Sequence, residues 1–434
     1  MTNLLITGGR VIDPASGRDG VADVLVLDGR ITAIETSSAA SAEARQGVSE
    51  IRQIDATGLI VSPGFIDPHV SLREPGYEED ESTASGTAAA LAGGFTAIAA
   101  QTDTSPVLDN RSAAEFVRLQ ADRARNCRVY PLGAITKQHK GEELAEIGQL
   151  VQAGAVGFSD ARHPVANSEV MRRALEYTRM FHRPVLHFAM VPELAEGGVM
   201  HEGFQSTRLG LRGIPAAAQD IMTGRDIALA ELTGGRVHIM CVTTRDSVSR
   251  IRHARAIGTS VSCDVAPHHL LLTDEVMERF DTMYKFNPPL RTRDHLEALI
   301  SGLKDGTITA ISADHQPRAI EKKQVELDAA PFGSSGLETA LGVCVRALID
   351  PGYLTWPELI ARLTVGPASV LGLPHGTLAI GQLADITLID PAVRWTVDAT
   401  RFKSAGRNTP FHGMTLTGQV AATIVAGEVR WQRE

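Results

Sequence analysis

The sequence predicts a (β/α)8 barrel joined to a small β-sandwich that is built from both ends of the chain. Strand-like apolar runs alternate with helix-length segments through residues 61–370, which is typical of a parallel barrel. Residues 1–60 and 371–434 instead carry short strands and glycine-containing turns, so both ends are expected to form one β domain. Polar residues cluster where the barrel strands end, and barrels hold their active sites at that edge.

Length, composition and charge restrict the class of protein. The 434 residues are 43% hydrophobic and 21% charged, enough to bury a large core in one barrel and a smaller domain. The formal net charge of −9, without a basic block, argues against nucleic acid as a partner. No apolar run reaches the roughly 18–20 residues of a membrane helix, and the first residues lack a signal-peptide pattern. We expect a cytoplasmic enzyme with no membrane partner.

The cysteines have no paired spacing, which favours free thiols in a reducing compartment over a disulfide framework. They are Cys127, Cys241, Cys263 and Cys344.

The N-terminal β segments are LLITGGRVID, ADVLVLDGRITAIE and IRQIDATGLIV, and ETSSAASAEARQG (35–47) between them is predicted to be a surface loop. The same pattern of short strands and glycine-containing turns occurs near the other end of the chain, in GTLAIGQLADITLID and GQVAATIVAGEVRW. The barrel opens with Val61–Gly76, whose apolar start and polar end indicate a buried strand.

Eight strand candidates, counting that first one, match the number that a barrel needs. The other seven are FTAIAAQ, RVYPLGAI, AVGFSD, PVLHFAM, RVHIMCV, TSVSCDV and TAISAD. Helical patterns between them include SAAEFVRLQADRAR, SEVMRRALEYTRMF, DIALAELTG and DSVSRIRHARAIG. The charged run Arg318–Asp328 follows a strand end and is either a mobile loop over the site or solvated surface.

Side chains that can bind metal stand at the ends of separate strands. Because these ends converge on one mouth of a barrel, imidazole, carboxylate and thiol groups there could form a metal site. The residues are His69 with Ser71 and Arg73, then Asp160, His187, Cys241, and Asp314 with His315.

A set of ordered motifs covers nearly the whole chain and resembles the dihydroorotases of the amidohydrolase superfamily. The motifs are PGFIDPHVSLREPG, GGFTAIAAQTDTSPVLDN, GAITKQHKGEELAEIGQL, AGAVGFSD, GGVMHEG, LGLRGIPAAAQDIM, APHHLLLTDE, KFNPPLRT, SADHQPR, APFGSSGLETAL and RNTPFHG. The resemblance implies a (β/α)8 barrel with a β-sandwich. It also implies reversible conversion of N-carbamoyl-L-aspartate and L-dihydroorotate in pyrimidine synthesis, with divalent metal to activate water.

The resemblance also assigns roles to residues. Asp314 matches the catalytic acid/base and a metal ligand. His69 matches the first histidine of an HxH motif, His187 a ligand on a later strand and Asp160 a bridging carboxylate. Arg73 and Asn287 match substrate contacts, and the planar fork of arginine suits a carboxylate.

Four positions depart from the family pattern inside this site. Ser71 replaces the second histidine of HxH, and Cys241 replaces a histidine ligand. Asp103 and Arg318 replace a substrate-contacting asparagine and histidine. Serine is a poor zinc ligand while thiolate is a good one, so one zinc is expected rather than two, and a site without metal stays open. Asp103 would repel an anionic substrate, which Arg318 could offset by pairing with it or by binding the substrate carboxylate.

Three functions remain open at this stage. The first is an active dihydroorotase acting on a small molecule, expected to be a homo-oligomer. The second is a catalytically inactive dihydroorotase-like subunit that supports assembly of aspartate transcarbamoylase. The third is a hydrolase of another cyclic amide, such as hydantoin or allantoin.

Overall fold

The computed structural model describes residues 3–36 and 51–434. Most of the predicted surface loop at 35–47 lies outside the described residues. The rest of the chain forms a parallel barrel and a sheet made from both chain ends, as the sequence predicts.

The barrel is made of two parallel sheet segments that together surround a common interior. The first segment contains β6 (Phe65–Val70), β7 (Phe95–Ala100) and β8 (Arg128–Pro131). The second contains β9 (Val185–His187), β12 (Val237–Ile239), β13 (Val261–Val265) and β14 (Ala310–Ile311). Between β9 and β12 in sequence, β10 (Met200–His201) and β11 (Gly213–Ile214) form a separate two-stranded sheet. Parallel bridges from Phe158 to Gly133 and to Val185 join the segments and supply the eighth position. A hydrogen bond of 3.0 Å from the Ser71 amide to the His315 carbonyl links the chain after the first barrel strand, β6, to the chain after the last one, β14.

Helices follow the strands and cover the barrel from outside. They are α1 (Thr83–Ala92), α2 (Arg111–Ala124), α3 (Ile147–Gln152), α4 (Ser168–Arg179), α5 (Pro192–Ala195), α6 (Phe204–Leu209), α7 (Ala217–Thr233), α8 (Arg245–Ala256), α9 (Pro267–Leu271), α10 (Arg293–Lys304), α11 (Ile320–Lys323), α12 (Ala340–Cys344), α13 (Trp356–Leu363) and α14 (Val365–Leu371).

Polar caps explain where several of the predicted helices begin. Asn110 accepts a hydrogen bond from the Ala113 amide at the start of α2, and Asn167 accepts from the first turn of α4. Thr244 caps α8 in the same way. Each cap satisfies an amide that has no partner within its own helix, so these helices start where the sequence places an asparagine or threonine.

The terminal domain is one eight-stranded sheet drawn from both ends of the chain. Its N-terminal strands are β1 (Asn3–Asp13), β2 (Arg18–Leu27), β3 (Arg30–Glu35), β4 (Ile51–Asp55) and β5 (Ile60–Pro63). Its C-terminal strands are β15 (Ile386–Thr396), β16 (Thr415–Val425) and β17 (Glu428–Gln432). The strand order is β17-β16-β15-β5-β1-β2-β3, with β4 also paired to β1, so β5 joins the two ends. The domain boundaries at 60/61 and 370/371 stay a prediction.

The predicted first barrel strand is divided in two at Gly64. β5 pairs with β1 and β15 in the terminal sheet, whereas β6 pairs with β7 in the barrel. A Cβ atom at Gly64 would lie 2.1 Å from Oγ1 of Thr96. Only glycine allows the backbone to approach Thr96 this closely, so the chain changes sheets at that residue.

The charged run Arg318–Asp328 is fastened to the protein rather than solvated along its whole length. It contains α11, and Arg318 donates to Asp80 at 3.2 Å. Lys323 is buried and donates to the Pro331 carbonyl at 2.8 Å. Lys285, which lies outside this run, donates to the carbonyls of Leu327 and Asp328 at 2.7 and 3.0 Å.

All four cysteines are buried and unpaired, as their spacing predicts. Among the helices that the structure describes, none combines the length and the apolar character required to cross a membrane.

Candidate active site

Four barrel strands bring polar side chains to one end of the barrel. β6 carries His69 and leads to Ser71, and β12 leads to Cys241. β13 carries Asp264, and β14 leads to Asp314. All five side chains are buried, so their charges and hydrogen bonds depend on neighbouring protein groups rather than on bulk water.

The innermost group contains His69, Cys241 and Asp264, each offering one potential metal-binding atom within 4.8 Å of the others. The His69 Nε2 atom lies 2.9 Å from Asp264 Oδ2 and 4.0 Å from Cys241 Sγ. The same Asp264 oxygen lies 2.7 Å from Nε2 of His238, and its other oxygen accepts from the Cys241 amide at 3.0 Å. Asp264 therefore connects the strands β6, β12 and β13.

Burial and pairing set the protonation of this group. Burial alone would lower the pKa of His69, but Asp264 and Cys241 together outweigh it and raise that pKa well above its ordinary value. Burial opposes ionisation of Asp264 too, yet His69 and His238 hold its pKa far below the usual range. Burial, with Asp314 nearby, raises the pKa of the Cys241 thiol to about 11. The group at neutral pH is thus an imidazolium–carboxylate pair beside a neutral thiol.

Arg162 occupies the space between Asp314 and Cys241. Its Nη2 atom donates to Asp314 Oδ1 and lies 3.5 Å from Cys241 Sγ. The guanidinium lies over the ring of Phe188, 4.8 Å from its centroid. Gln316 also donates to Asp314, at 2.8 Å. The predicted acid/base is therefore held in a buried ion pair whose cation belongs to the chain itself.

Asp160 and His187 stand at strand ends as predicted, but hydrogen bonds engage both away from the inner group. Asp160 accepts from the amides of Ile135 and Thr136 at 2.7 and 3.0 Å. Both ring nitrogens of His187 are used, one with the Val165 amide at 2.9 Å and one with Asp226 at 2.6 Å. Burial raises the pKa of Asp160 to about 6. The assignment of these two residues as metal ligands stays a prediction.

Arg73, Asp103 and Ser71 form a second buried cluster. Asp103 Oδ2 accepts from Ser71 Oγ and from Arg73 Nη1, both at 2.7 Å. Although burial opposes it, Arg73 lowers the pKa of Asp103, so this carboxylate is ionised. The Nε and Nη2 atoms of Arg73 are buried and have no partner. These two atoms form one edge of the guanidinium, and that edge can bind a carboxylate with two parallel hydrogen bonds.

Arg318 pairs with Asp80, and Asp103 pairs with Arg73. The negative charge of Asp103 is therefore paired with Arg73 and not with Arg318, the arginine that the sequence suggested. Asn287 is half-buried, and its buried Oδ1 has no partner. Next to it, Phe286 stacks on His268 with centroids 4.0 Å apart. The His268 Nε2 atom lies 3.8 Å from Asp314, which brings the Asn287 segment to the same mouth.

The space enclosed by these side chains is small. A cavity of about 10 Å³ lies among residues of both clusters, namely His69, Ser71, Gln101, Asp103, Ala161, Arg162, Asp314, His315 and Gln316. This is room for about one water molecule. A larger ligand enters only when side chains or loops around the mouth move.

Four residues other than glycine at the mouth have a strained backbone with positive φ. Cys241, Asp314, Arg73 and Ala161 have φ values of +51°, +48°, +61° and +50°. Residues other than glycine adopt this left-handed conformation at a cost of roughly 1–2 kcal/mol each. Such strain concentrates at functional sites, where the surrounding structure holds it.

Three residues of the site were missed from the sequence. Asp264 is the last but one residue of TSVSCDV, so the strand-end rule that selected Asp314 would have found it. His238 lies inside a strand, and Arg162 lies in a loop. No periodicity marks the direction of their side chains.

The side chains present suit one metal ion better than two. His69, Cys241 and Asp264 provide a nitrogen, a sulfur and an oxygen donor, a combination that zinc accepts. Ser71 is bonded to Asp103, and Asp314 is paired with Arg162, so neither adds an unengaged donor. An ion bound to the inner group would take the place of the protons now held by His69 and Cys241.

Comparison with known proteins agrees with this architecture. A solved L-hydantoinase from Arthrobacter aurescens superposes with a TM-score of 0.87 at 25% identity, covering 99% of this chain and 96% of the other. A dihydropyrimidinase from Brevibacillus agri NCHU1002 gives a TM-score of 0.82 at 24% identity, covering 99% and 95%. The fold is thus an amidohydrolase barrel with a sheet domain from both termini.

Sequence comparison identifies the family within that fold. A model described as dihydro-orotase-like matches residues 58–247, and an amidohydrolase family model matches residues 332–430. The dihydroorotase of Pelotomaculum thermopropionicum is 49% identical over 429 residues, covering 99% of this chain and 98% of that protein. The dihydroorotase of Solibacter usitatus is 46% identical over 432 residues, with coverage of 99% and 98%. Identity of this extent over the whole length shows that the chain belongs to the dihydroorotase family.

Proposed function

We propose that this chain is a cytoplasmic dihydroorotase that reversibly converts L-dihydroorotate and N-carbamoyl-L-aspartate in pyrimidine biosynthesis. The observation that carries the proposal is the free edge of Arg73, whose Nε and Nη2 atoms are buried without partners. A buried guanidinium edge of this kind recognises a carboxylate, which dihydroorotate bears and which hydantoin and allantoin lack. Arg73 lies in the LREPG motif that relates this chain to the family.

Substrate recognition in this proposal begins at Arg73. Its Nη1 atom stays on Asp103, so the pair carries little net charge, and binding depends on the directed hydrogen bonds of the free edge. Asn287 adds an unpartnered buried oxygen that can accept from an N–H group of the ring. Asp103 and Arg318 then act through charge around the ligand carboxylate rather than by pairing with each other.

Asp314 is the acid/base of the proposed reaction. A carboxylate at this position can take a proton from water and return it to the nitrogen that leaves. Arg162 and Gln316 hold it by hydrogen bonds to one oxygen, Oδ1, so its orientation is fixed. The small cavity excludes bulk water, which strengthens these electrostatic interactions.

We propose one zinc ion, held by His69, Cys241 and Asp264. When bound, the ion supplies hydroxide at neutral pH and polarises the carbonyl of the cyclic amide. The donor types and their mutual distances support this set.

A homo-oligomer is proposed as well, and size-exclusion chromatography with light scattering tests it.

The Cys241→Ala variant tests this centre. Wild type is expected to retain close to one zinc per chain and to hydrolyse dihydroorotate, while the variant loses both, because a thiolate ligand is removed. Cys263→Ala is the matched control, since Cys263 is also buried but lies outside the inner group. Zinc is measured by mass spectrometry and turnover by absorbance, with hydantoin and allantoin as competing substrates.

No turnover by zinc-supplemented wild type would contradict the active enzyme. Faster hydrolysis of hydantoin or allantoin than of dihydroorotate would instead support the third function.

A second candidate function is a catalytically inactive subunit that supports an aspartate transcarbamoylase. The ion pair between Arg162 and Asp314, together with a cavity of about 10 Å³, favours it, because the acid/base is engaged and the site is closed. Stable co-elution with the transcarbamoylase of the same organism, combined with absent turnover, would support this function. Turnover by the isolated chain would contradict it.

A further inference from the structure

We infer that Arg162 binds the carboxylate created by ring opening, and so makes the site selective for the open-chain dicarboxylate over the cyclic monocarboxylate. The inference rests on the proposed function and adds a binding residue to it. It requires no metal, because both the donor and the ligand group are organic.

The reaction changes the number of carboxylates on the ligand. Water adds across the amide of the ring: the C–N bond breaks, the carbonyl carbon gains the hydroxyl group of water, and the nitrogen gains the remaining hydrogen. The new acid then loses a proton at neutral pH. Dihydroorotate therefore has one carboxylate, and N-carbamoylaspartate has two, so the open-chain form needs a second cationic partner.

Arg162 has the free donor that such a partner needs. Its Nη1 atom is buried and has no hydrogen-bond partner, although the side chain lines the cavity. The two histidines that also line the cavity are engaged, His69 with Asp264 and His315 with Glu81 at 3.2 Å. A buried guanidinium nitrogen without an acceptor costs free energy, which a ligand carboxylate would recover.

The position of Arg162 corresponds to the reacting end of the ligand. Its Nη2 atom contacts Asp314, the proposed acid/base, whereas Arg73 donates to Asp103, which also accepts from Ser71. The permanent carboxylate would lie on the free edge of Arg73, and the new one would form next to Asp314. The stacking of Arg162 on Phe188 fixes the plane of the guanidinium before the ligand arrives.

The ion pair with Asp314 leaves Arg162 able to bind a second anion. Without ligand, only Nη2 of Arg162 is used for Asp314, and Nη1 has no partner. A ligand carboxylate on Nη1 adds a second acceptor to an arginine that can bind two at once. The bond to Asp314 does not have to break for this to happen.

The experiment measures binding rather than turnover. Isothermal titration calorimetry on the full chain, treated with a chelator, gives the affinity for N-carbamoyl-L-aspartate and for L-dihydroorotate. The variants are Arg162→Gln, which removes the charge, and Arg162→Lys, which keeps the charge but loses the planar fork. Arg245→Gln is the control, since the Arg245 side chain is 61% exposed.

Arg162→Gln is expected to weaken binding of N-carbamoylaspartate about 10-fold or more, while binding of dihydroorotate changes less than about 3-fold. Arg162→Lys is expected to fall between wild type and Arg162→Gln. Arg73→Lys should weaken both ligands, because both carry the permanent carboxylate. If Arg162→Gln fails to fold by circular dichroism, the selective loss must appear in Arg162→Lys.

Equal weakening of both ligands, or no change in either, would overturn the inference while the proposed function stands if wild type still binds them. Failure of wild type to bind either ligand, with or without zinc, would overturn both together. Turnover of dihydroorotate by wild type combined with unchanged affinities in the Arg162 variants would remove this inference alone.

Discussion

At the scale of single residues, the mouth of the barrel holds its charges in pairs. Asp264 is paired with His69, Asp314 with Arg162 and Asp103 with Arg73. Removing one member of a buried pair leaves an uncompensated charge and costs about 3–5 kcal/mol. Substitutions that keep the charge are therefore the informative ones, because they separate loss of geometry from loss of the fold.

Arg73→Lys is such a substitution. An ammonium group can still neutralise Asp103, but it cannot present two parallel N–H groups to a carboxylate. We expect the dissociation constant for dihydroorotate to rise about 10-fold or more, with little change in the unfolding midpoint. Calorimetry and thermal melts measure the two quantities. Arg173→Lys, at an exposed position of α4, is the control, and an unchanged affinity in Arg73→Lys would contradict the assigned contact.

At the scale of elements, short turns after the strands position the site. Cys241 and Asp314 follow β12 and β14 by two and three residues and both have positive φ. The strands set the depth of each side chain, and the left-handed residue sets its direction. Strand ends in a barrel converge, so small local turns are enough to assemble residues that are far apart in sequence.

The segment after β14 is a second element with an unusual feature. Two buried lysines, one inside the segment and one outside it, donate to its backbone carbonyls. Lys285 donates to Leu327 and Asp328, and Lys323 donates to Pro331. Burial, with Arg318 and Lys285 nearby, lowers the pKa of Lys323 to about 7. A neutral amine still has N–H groups to donate, so the segment stays attached when Lys323 loses its proton.

This pKa predicts a pH dependence of stability. Between about pH 7 and the ordinary lysine value of 10.5, the unfolded chain binds a proton at Lys323 that the folded chain has released. The free energy of unfolding therefore rises with pH across this window, on the order of 2–4 kcal/mol relative to Lys323→Met. Denaturant titrations from pH 6 to pH 10.5 measure the difference. Lys304→Met, at an exposed site, should show no such trend, and a flat difference for Lys323→Met would contradict the shift.

At the scale of the whole molecule, the sheet from the two chain ends is packed onto the barrel. Arg128 in β8 pairs with Asp385 at 3.0 Å. Thr387 in β15 and Thr423 in β16 donate to the carbonyls of Gly94 and Leu91, both at 2.6 Å. Residues from both chain ends also share one apolar core, which includes Leu4, Val24, Val61, Leu388 and Ile424. Damage to this distant core should therefore lower global stability without changing the chemistry of the site.

Leu388→Ala tests that separation. Leu388 is 1% exposed, so its truncation leaves a cavity and should lower the free energy of unfolding by about 2–5 kcal/mol. Ile380→Ala, at a position that is 71% exposed, should change it by less than about 0.5 kcal/mol. Dihydroorotate affinity at a temperature where both variants are folded should equal that of wild type. A large loss of affinity in Leu388→Ala would show that the sheet positions the site.

Much of this architecture could be predicted from periodicity, because buried parallel strands and amphipathic helices leave regular patterns. AVGFSD is the exception among the strands, since it contributes only the two bridges at Phe158. A Cβ at the adjacent Gly157 would lie 2.7 Å from Leu186. Close packing of this kind depends on the neighbouring strand, and a single sequence does not contain it.

The sequence was enough to predict where in the chain the site residues stand, but not which side chains they contact. The strand-end rule selected His69, Cys241 and Asp314, which do converge. It also selected Asp160, which accepts from the Ile135 amide, and His187, which is bonded to Asp226; their assignment as ligands stays a prediction. The direction of a side chain after a strand end depends on local turns and on competing hydrogen bonds, which are tertiary properties. Arg162 entered the site for the same reason.

The paired charges at the mouth determine how far the folding stability of this chain depends on a bound ion. Each buried acid there has a cation of the chain's own, His69 for Asp264 and Arg162 for Asp314, so an empty centre leaves no repulsion to relieve. We expect a chelator to lower the unfolding midpoint only by the stabilisation that a bound ion adds, while the chain still unfolds in one cooperative transition, unlike domains whose folding depends on metal. Differential scanning calorimetry with and without EDTA measures this, and loss of the cooperative transition in EDTA would contradict it. Folding of the chain then does not require a bound ion.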